Sequence, residues 1–183
     1  MNFEDQYVMA RVSGKAPDFT ANSYFKGEFT KTSLYEDVLN KGKWAVVFFY
    51  PLDFTFVCPT EIKEFSAKAS AFEDTNAQII GVSVDSEHSH KAWCEGDLGQ
   101  LNFPLVSDLQ KEISISYDVL HDDGMSLRGT FIIDPNGKIH SSTVNDLPIG
   151  RNVNEILRTL KAAQSGELCP VAWEVGQESL GKA

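Results

Sequence analysis

Residues 44–50 read Trp-Ala-Val-Val-Phe-Phe-Tyr, the longest continuous apolar stretch of the chain. Such a run is too short to cross a membrane and is typical of a β-strand that is covered on both faces. After a loop, apolar side chains recur at steps of three, four and three, at Ile62, Phe65, Ala69 and Phe72. That spacing predicts an amphipathic helix that follows the strand. A buried strand leading into such a helix is typical of α/β proteins.

Strands and helices alternate on both sides of this unit. Upstream, residues 18–24 and 28–30 flank Lys26-Gly27 and predict a hairpin. Downstream we predict a strand over 78–85, a helix over 86–95, a strand over 104–108, a helix over 110–117, a hairpin of 130–134 with 139–144, and a helix from an Asn152 cap to Gly166. This order predicts a three-layer α/β protein with a thioredoxin-like fold, in which helices cover both faces of a central mixed sheet. Residues 1–165 form the domain, and 166–183 form a C-terminal tail.

Composition excludes several classes of function. The 183 residues contain 16 Lys and Arg against 26 Asp and Glu, a net charge of −10. This balance argues against nucleic acid and against anionic lipid as the main partner. The acidic start, residues 1–7, is followed by no apolar segment, so we expect no secretory signal, no membrane association and a cytoplasmic location.

The three cysteines contain no CxxC pair and suggest neither a disulfide scaffold nor a zinc ribbon. Cys94 beside a tryptophan is interpreted as core packing. His88, His90 and Cys94 lack the spacing of a structural zinc site, and the histidines are expected at the surface of their helix. The sequence therefore predicts no metal and no cofactor.

Cys58 lies in the first turn of the predicted helix, where unpaired backbone N–H groups and the helix dipole stabilise a thiolate. Pro59 suits such a position because a first-turn N–H is unpaired in any case. A helix N-terminus alone stabilises the thiolate weakly, and Arg128 is the candidate for a nearby cation. Thr55 offers a hydroxyl to a polar substrate, and Pro51 shields the sulfur from water. The alternative is that Cys58 is a buried structural thiol.

The pattern Pro51-x-x-x-Thr55-x-x-Cys58 resembles the active-site motif of peroxiredoxins. The chain looks like the typical 2-Cys class, which includes the peroxidase component of bacterial alkyl hydroperoxide reductase. Three further segments carry the likeness in the same order: residues 16–19, 128–134 and 167–170.

By this resemblance Cys58 is the peroxidatic cysteine, which attacks the O–O bond of hydrogen peroxide or an organic hydroperoxide and becomes a sulfenic acid. Thr55 and Arg128 would hold the peroxide oxygens, with Pro51 as the shield. Cys169 would be the resolving cysteine, supplied by the other subunit of a homodimer, and such dimers assemble into decamers. A thioredoxin-like or flavoprotein disulfide reductase would return the electrons.

The resemblance leaves several points open. Glu61, one turn after Cys58, either orients Arg128 or is a solvated helix carboxylate. Pairing of the strand 139–144 with its symmetry mate would cover a sheet edge in the dimer. A ring-forming holdase chaperone or a redox-signalling relay is the alternative function. A thioredoxin-like disulfide reductase is disfavoured because it needs a CxxC pair.

Two departures from the family concern regulation. Peroxiredoxins that are sensitive to overoxidation carry a Gly-Gly-Leu-Gly loop and a C-terminal Tyr-Phe pair. Here residues 96–99 read Gly-Asp-Leu-Gly, and the tail after Trp173 contains no Tyr-Phe. We therefore expect only a weak cover over the Cys58 helix.

Overall fold

A computed structural model describes residues 9–182. Residues 1–7, where the sequence predicts no secretory signal, lie outside the described part. The strands are β1 (Thr20–Phe25), β2 (Glu28–Ser33), β3 (Trp44–Phe49), β4 (Ala77–Ser83), β5 (Leu105–Ser107), β6 (Arg128–Ile133) and β7 (Ile139–Asn145). The helices are α1 (Leu34–Asp37), α2 (Cys58–Ala67), α3 (Ala69–Glu73), α4 (Glu87–Glu95), α5 (Glu112–Ser116) and α6 (Val153–Ser165), with a short 3₁₀ turn at Leu39–Lys41.

The strands form one mixed seven-stranded sheet in the order β2-β1-β5-β4-β3-β6-β7. β3, β4 and β5 run parallel, whereas β6 runs antiparallel to β3 and β1 antiparallel to β5. β2 and β7 are the two edge strands. The predicted thioredoxin-like α/β fold and its N-terminal hairpin are confirmed.

The central strand β3 is buried on both faces because its side chains alternate between two cores. Val46 and Phe48 face the core that α2, α3, α4 and α6 cover. Val47 and Phe49 face the second core, under α1 and α5. The continuous apolar run of β3 is thus explained by helices on both sides of the sheet.

The predicted amphipathic helix after β3 is divided into α2 and α3. Lys68 leaves helical geometry at φ −100° and ψ 5°, which ends α2 and begins α3. The apolar side chains at Ile62, Phe65, Ala69 and Phe72 are nevertheless all buried in one core. The periodicity identified the buried face correctly, although it did not reveal the interruption.

The predicted surface position of His90 is wrong. Its side chain is completely buried, and Cys94 on the same helix is 4% exposed within the core. His90 lies at the inner side of α4, where Asp53 and a strand carbonyl provide partners for both ring nitrogens. Buried polar groups need such partners, which a periodicity argument does not reveal.

Helix α6 begins at Asn152, whose side chain accepts a hydrogen bond from the N–H of Glu155, and ends at Gly166 with φ 65°. Both ends agree with the sequence prediction. The tail beyond Gly166 folds back on itself, with main-chain hydrogen bonds from Leu168 to Gly181 and from Leu180 to Leu168. No helix within residues 9–182 is both long and apolar enough to cross a lipid bilayer.

Candidate active site

Cys58 is the first residue of α2 and follows the loop that leaves β3. Its side chain is completely buried. Val57, which precedes it, provides no side-chain cap for the helix. The sulfur therefore lies at the positive end of the helix dipole, in a site from which water is excluded.

Arg128 is the first residue of β6, which runs antiparallel to β3 and so begins at the end of the sheet where β3 finishes. Its Nη1 donates to Cys58 Sγ at 3.4 Å and to Glu61 Oε2 at 2.6 Å. Its Nε donates to the carbonyl of Leu147 at 2.7 Å. The sheet topology thus brings the predicted cation to the predicted nucleophile.

Glu61 is buried, with 3% of its surface exposed. Besides Arg128, it accepts hydrogen bonds from the Arg151 backbone N–H at 2.8 Å, from Arg151 Nε at 2.9 Å and from Arg151 Nη2 at 3.1 Å. Of the two interpretations that the sequence left open, the structure supports the one in which Glu61 orients Arg128. A solvated carboxylate would not be enclosed by two guanidinium groups.

Arg151 is the residue of this site that the sequence analysis missed. Its side chain is 2% exposed, and its Nη1 donates to the carbonyls of Phe49 at 2.7 Å and Gly129 at 2.9 Å. Burial lowers the pKa of Arg151 from its ordinary value, while Glu61 opposes this effect. Arg151 lies in a loop just before the Asn152 cap, and a lone arginine in a loop gives no periodic signal.

The charges at this site are not balanced. Arg128 and Arg151 are positive and Glu61 is negative, and all three are bonded together. One positive charge is left over beside Cys58 Sγ, in a region of low dielectric where it acts strongly. Arg128 brings this surplus charge within hydrogen-bonding distance of Cys58 Sγ.

Thr55 and Pro51 lie in the loop between β3 and α2. Thr55 Oγ1 donates to the carbonyl of Leu52 at 3.0 Å, and its oxygen lone pairs stay available as acceptors. Pro51 is buried at the start of the loop. Among the described residues, the hydrogen bonds bring Arg128 to Cys58 Sγ but do not bring Thr55 Oγ1 to it.

A second buried network holds the start of the same loop. Asp53 accepts from the Tyr50 hydroxyl at 2.8 Å, and its Oδ2 lies 2.8 Å from His90 Nδ1. His90 Nε2 lies 3.2 Å from the carbonyl of Val106. The backbone N–H of Asp53 donates to Asp85 at 2.9 Å. The loop is therefore fixed to α4 and to the sheet before it reaches Cys58.

The other two cysteines differ from Cys58 and from each other. Burial raises the pKa of Cys94 to about 12, so its thiol stays neutral and inert near neutral pH. Cys169 is half-buried in the tail, where its Sγ lies 3.4 Å from Ser165 Oγ and 3.8 Å from the carbonyl of Ala162. All three cysteines are unpaired.

Comparisons with known proteins agree with this geometry. Residues 12–142 match the model of the AhpC/TSA family. The chain is 53% identical over 180 residues to the chloroplastic 2-cysteine peroxiredoxin of Chattonella marina var. antiqua, covering 93% of this chain and 91% of that protein. It is 53% identical over 173 residues to the mitochondrial thioredoxin-dependent peroxide reductase of Drosophila melanogaster, covering 89% of this chain and 73% of that protein. The reduced 2-Cys peroxiredoxin of Plasmodium vivax superposes with a TM-score of 0.87 at 40% identity, over 92% of this chain and 91% of that chain.

The chain therefore belongs to the AhpC/TSA family. Within that family it is a 2-Cys peroxiredoxin. The resemblance noted in its sequence motifs is confirmed, and it extends over most of the chain.

The Glu61 cluster leads to a prediction about stability. Glu61→Gln would leave two buried guanidinium groups without a counter-charge, so we expect the free energy of unfolding to fall by about 3 kcal/mol or more. Glu64→Gln on the same helix is the matched control, because Glu64 pairs with Lys68 at the surface. That variant should lose no more than about 0.5 kcal/mol. Equilibrium denaturation in urea measures both, and similar losses in the two variants would contradict the role given to Glu61.

Proposed function

We propose that this peroxiredoxin reduces hydrogen peroxide and organic hydroperoxides, with Cys58 as the peroxidatic cysteine. The observation that supports this most directly is the buried Sγ of Cys58 at a helix N-terminus, 3.4 Å from Arg128 Nη1 and beside an uncompensated positive charge. The relatives described above are named as a peroxiredoxin and a peroxide reductase. These names favour a peroxidase function over the holdase chaperone or redox-signalling relay that the sequence left open.

The reaction that this geometry supports is a displacement at oxygen. The Cys58 thiolate attacks one peroxide oxygen, the O–O bond breaks, and the other oxygen leaves as water or an alcohol after taking up a proton. Sulfur is oxidised to sulfenic acid and the peroxide is reduced. Arg128 is positioned to stabilise the charge that develops as the O–O bond lengthens, and Thr55 Oγ1 offers an acceptor for the O–H of the substrate.

An assay coupled to NADPH oxidation through a thioredoxin and its reductase tests the activity. Hydrogen peroxide and cumene hydroperoxide serve as substrates. The wild-type chain should turn over both, and Cys58→Ser should turn over neither. Thermal aggregation of a client protein, followed by light scattering, separates a holdase, since a holdase would survive that substitution.

Arg128→Met removes the surplus charge while it conserves much of the side-chain volume. Loss of one preorganised donor in comparable sites slows the reaction by about 10²–10³. We therefore expect the oxidation of Cys58 by peroxide to slow by about this factor at pH 7. Stopped-flow measurement of the first oxidation phase tests this, with Lys138→Met as a control for loss of a cation elsewhere. A decrease of less than about tenfold would contradict the role of Arg128.

We propose that Cys169 resolves the Cys58 sulfenic acid across a homodimer, and that dimers assemble into decamers. β7 is an edge strand of the sheet, and pairing with the same strand of a second copy would satisfy its free backbone groups. The half-buried thiol of Cys169 in a tail outside the main core supports its participation in exchange.

This assignment of the thiols is tested by disulfide linkage. Peroxide-treated wild-type chain should migrate as a covalent dimer on non-reducing gels, because one Cys58–Cys169 bond joins two subunits. Cys58→Ser and Cys169→Ser should each abolish that dimer. Cys94→Ser should retain it, since the Cys94 thiol is buried and inert. A dimer that survives Cys169→Ser and disappears in Cys94→Ser would show that the resolving thiol is wrongly assigned.

We also propose that the enzyme resists overoxidation. The sulfenic acid of Cys58 either condenses with Cys169 or reacts with a second peroxide to form a sulfinic acid. Within residues 9–182, the hydrogen bonds of the tail go to the tail itself and to α6, rather than to the loop before Cys58. Opening of the first turn of α2 therefore does not require the tail to leave it.

Intact-mass spectrometry after turnover at increasing peroxide tests this resistance. We expect the disulfide to dominate over a wide range of peroxide. A species heavier by about 32 Da, which corresponds to two oxygens on Cys58, should appear only at high excess. Its accumulation at a small excess of peroxide would contradict the proposal.

For the electron donor we propose a thioredoxin-type dithiol protein rather than a dedicated flavoprotein. The name of the Drosophila melanogaster relative describes a thioredoxin-dependent enzyme. The odd number of cysteines, without a CxxC pair, favours a reducing compartment such as the cytoplasm. Replacing thioredoxin by a flavoprotein reductase in the coupled assay distinguishes the donors, and cell fractionation tests the location.

A further inference from the structure

The loop before Cys58 contains a turn whose backbone disfavours the residue that occupies it. Asp53 and Phe54 are the two central residues of this turn. Phe54 has φ 55°, in the left-handed region. Turns with positive φ at this position favour glycine or asparagine, because a β-carbon there crowds the following carbonyl oxygen. A phenylalanine in this conformation is therefore strained.

Phe54 differs from the other non-glycine residues with positive φ in the described part of the chain. Those are small, polar or charged: Ser13, Lys26, Asn76, Lys111, Asp118 and Ala172. The ring of Phe54 lies 5.7 Å from the ring of Trp93 on α4, measured between centroids. Nevertheless 60% of Phe54 remains exposed. Burial of the ring therefore does not account for a phenylalanine at a position that suits glycine.

The turn is held in this conformation by its neighbours. The N–H of Asp53 donates to Asp85 at 2.9 Å, and the Asp53 carboxylate belongs to the buried network described above. Thr55 Oγ1 donates to the carbonyl of Leu52 across the turn at 3.0 Å. Strained conformations persist only where surrounding groups determine them, and they concentrate at sites that switch between conformations. The turn at Phe54 meets both descriptions, because it directly precedes a buried sulfur that must become exposed.

We propose that the strain at Phe54 is stored in the closed form of the Cys58 loop and is released when the loop opens. This rests on the proposed function, in which the Cys58 sulfenic acid must leave the core to meet Cys169. Phe54 is the first residue beyond the Asp53 anchor, and Cys58 is completely buried in the segment that follows. Unwinding that brings Cys58 out of the core lets Phe54 return to an ordinary backbone conformation. The strain therefore raises the fraction of molecules in which the loop is open.

Opening of the loop governs the fate of the sulfenic acid. In the open loop, the Cys169 thiolate attacks the Cys58 sulfur, an S–S bond forms, the S–O bond breaks, and the hydroxide leaves as water after taking up a proton. In the closed loop the sulfur meets only peroxide, which transfers a second oxygen to it as the O–O bond breaks and forms the sulfinic acid. A strained turn thus favours resolution, and a relaxed turn favours overoxidation.

Substitutions of Phe54 separate the backbone strain from the loss of the ring. Phe54→Ala and Phe54→Leu keep a β-carbon that the left-handed backbone disfavours, whereas Phe54→Asn and Phe54→Gly accept this conformation. The Ala and Asn variants both remove the ring from Trp93, so they differ chiefly in strain. Lys111→Asn is the matched control, because Lys111 also has a left-handed backbone, with φ 64°, but lies at the start of α5.

Opening is measured on the reduced protein, in a Cys169→Ser background, as the rate at which N-ethylmaleimide alkylates Cys58, with the label located by peptide mass. A buried thiol reacts through the opened loop, so this rate follows the open population. Alkylation in Phe54→Asn should be about fivefold slower than in Phe54→Ala, which corresponds to about 1 kcal/mol, the lower end of the cost of a left-handed backbone. Phe54→Gly should be slowed less, because glycine also gives the open segment more freedom. Lys111→Asn should react at the wild-type rate.

Resolution is measured on the same variants with Cys169 intact. Each protein is mixed with one equivalent of peroxide and quenched with acid at increasing times. Loss of the Cys58 thiol should proceed at a similar rate in all of them, because the closed form reacts with peroxide. Covalent dimer should form more slowly in Phe54→Asn than in Phe54→Ala, and the species heavier by about 32 Da should appear at a smaller excess of peroxide.

Equal rates of alkylation in Phe54→Asn and Phe54→Ala would overturn the proposal, since a role of the ring alone alters both variants alike. An equal decrease in Lys111→Asn would overturn it too, because relief of strain far from the loop would then have the same effect. If denaturation in urea shows that Phe54→Ala does not fold, Phe54→Leu takes its place in the comparison. If the wild-type chain formed no Cys58–Cys169 disulfide, the pairing of the thiols would be wrong, whereas the alkylation rates would still decide the role of Phe54.

Discussion

The carboxylate of Glu61 is the group on which the geometry of the active site depends. It binds Arg128 from β6, 67 residues further along the chain, and Arg151 from the loop before α6, 90 residues further. Three distant segments are thus held at one buried carboxylate. Because Glu61 lies one turn after Cys58, this cluster also fixes the direction in which α2 begins. Buried charges are tolerated only when each has partners, and here every member of the cluster has several.

The same cluster produces the electrostatics of the thiol. A neutral pair of one arginine and one carboxylate would stabilise the fold without placing net charge beside Cys58. The second arginine leaves one positive charge uncompensated, and Arg128 directs it at Cys58 Sγ. Packing of the Arg151 guanidinium over the rings of Phe48 and Phe65, 5.0 and 5.8 Å from the ring centres, offsets part of the cost of burying it. The same three side chains, Glu61, Arg128 and Arg151, therefore both hold distant segments together and place a positive charge beside Cys58.

The sequence predicted those parts of the molecule that local patterns determine. The apolar run of β3, the alternation of strands and helices and the Asn152 cap each depend on neighbouring residues, and the structure contains them. The motif around Cys58 also led to Arg128 as a neighbouring cation, and the structure places Arg128 Nη1 at 3.4 Å from Cys58 Sγ. Arg151 and the buried His90 were missed for a common reason. Each is positioned by partners far away in sequence, and neither hydropathy nor periodicity shows which polar side chain will meet them.

The loop that carries Cys58 is held firmly at both ends but weakly between them. Asp53 is bonded to Tyr50, His90 and Asp85 on one side, and Glu61 is bonded to the two arginines on the other.

Between these anchors, Phe54 has a left-handed backbone with φ 55°, Phe56 is 97% exposed, and α2 begins without a side-chain cap. A left-handed conformation at a bulky residue is strained and costs about 1–3 kcal/mol. The sulfur of Cys58 is buried in this state and must become exposed before any thiol can reach it. Unwinding of the segment between the anchors exposes it without breaking either anchor. The charge cluster of Glu61, Arg128 and Arg151 can therefore stay in place while Cys58 moves out of the core.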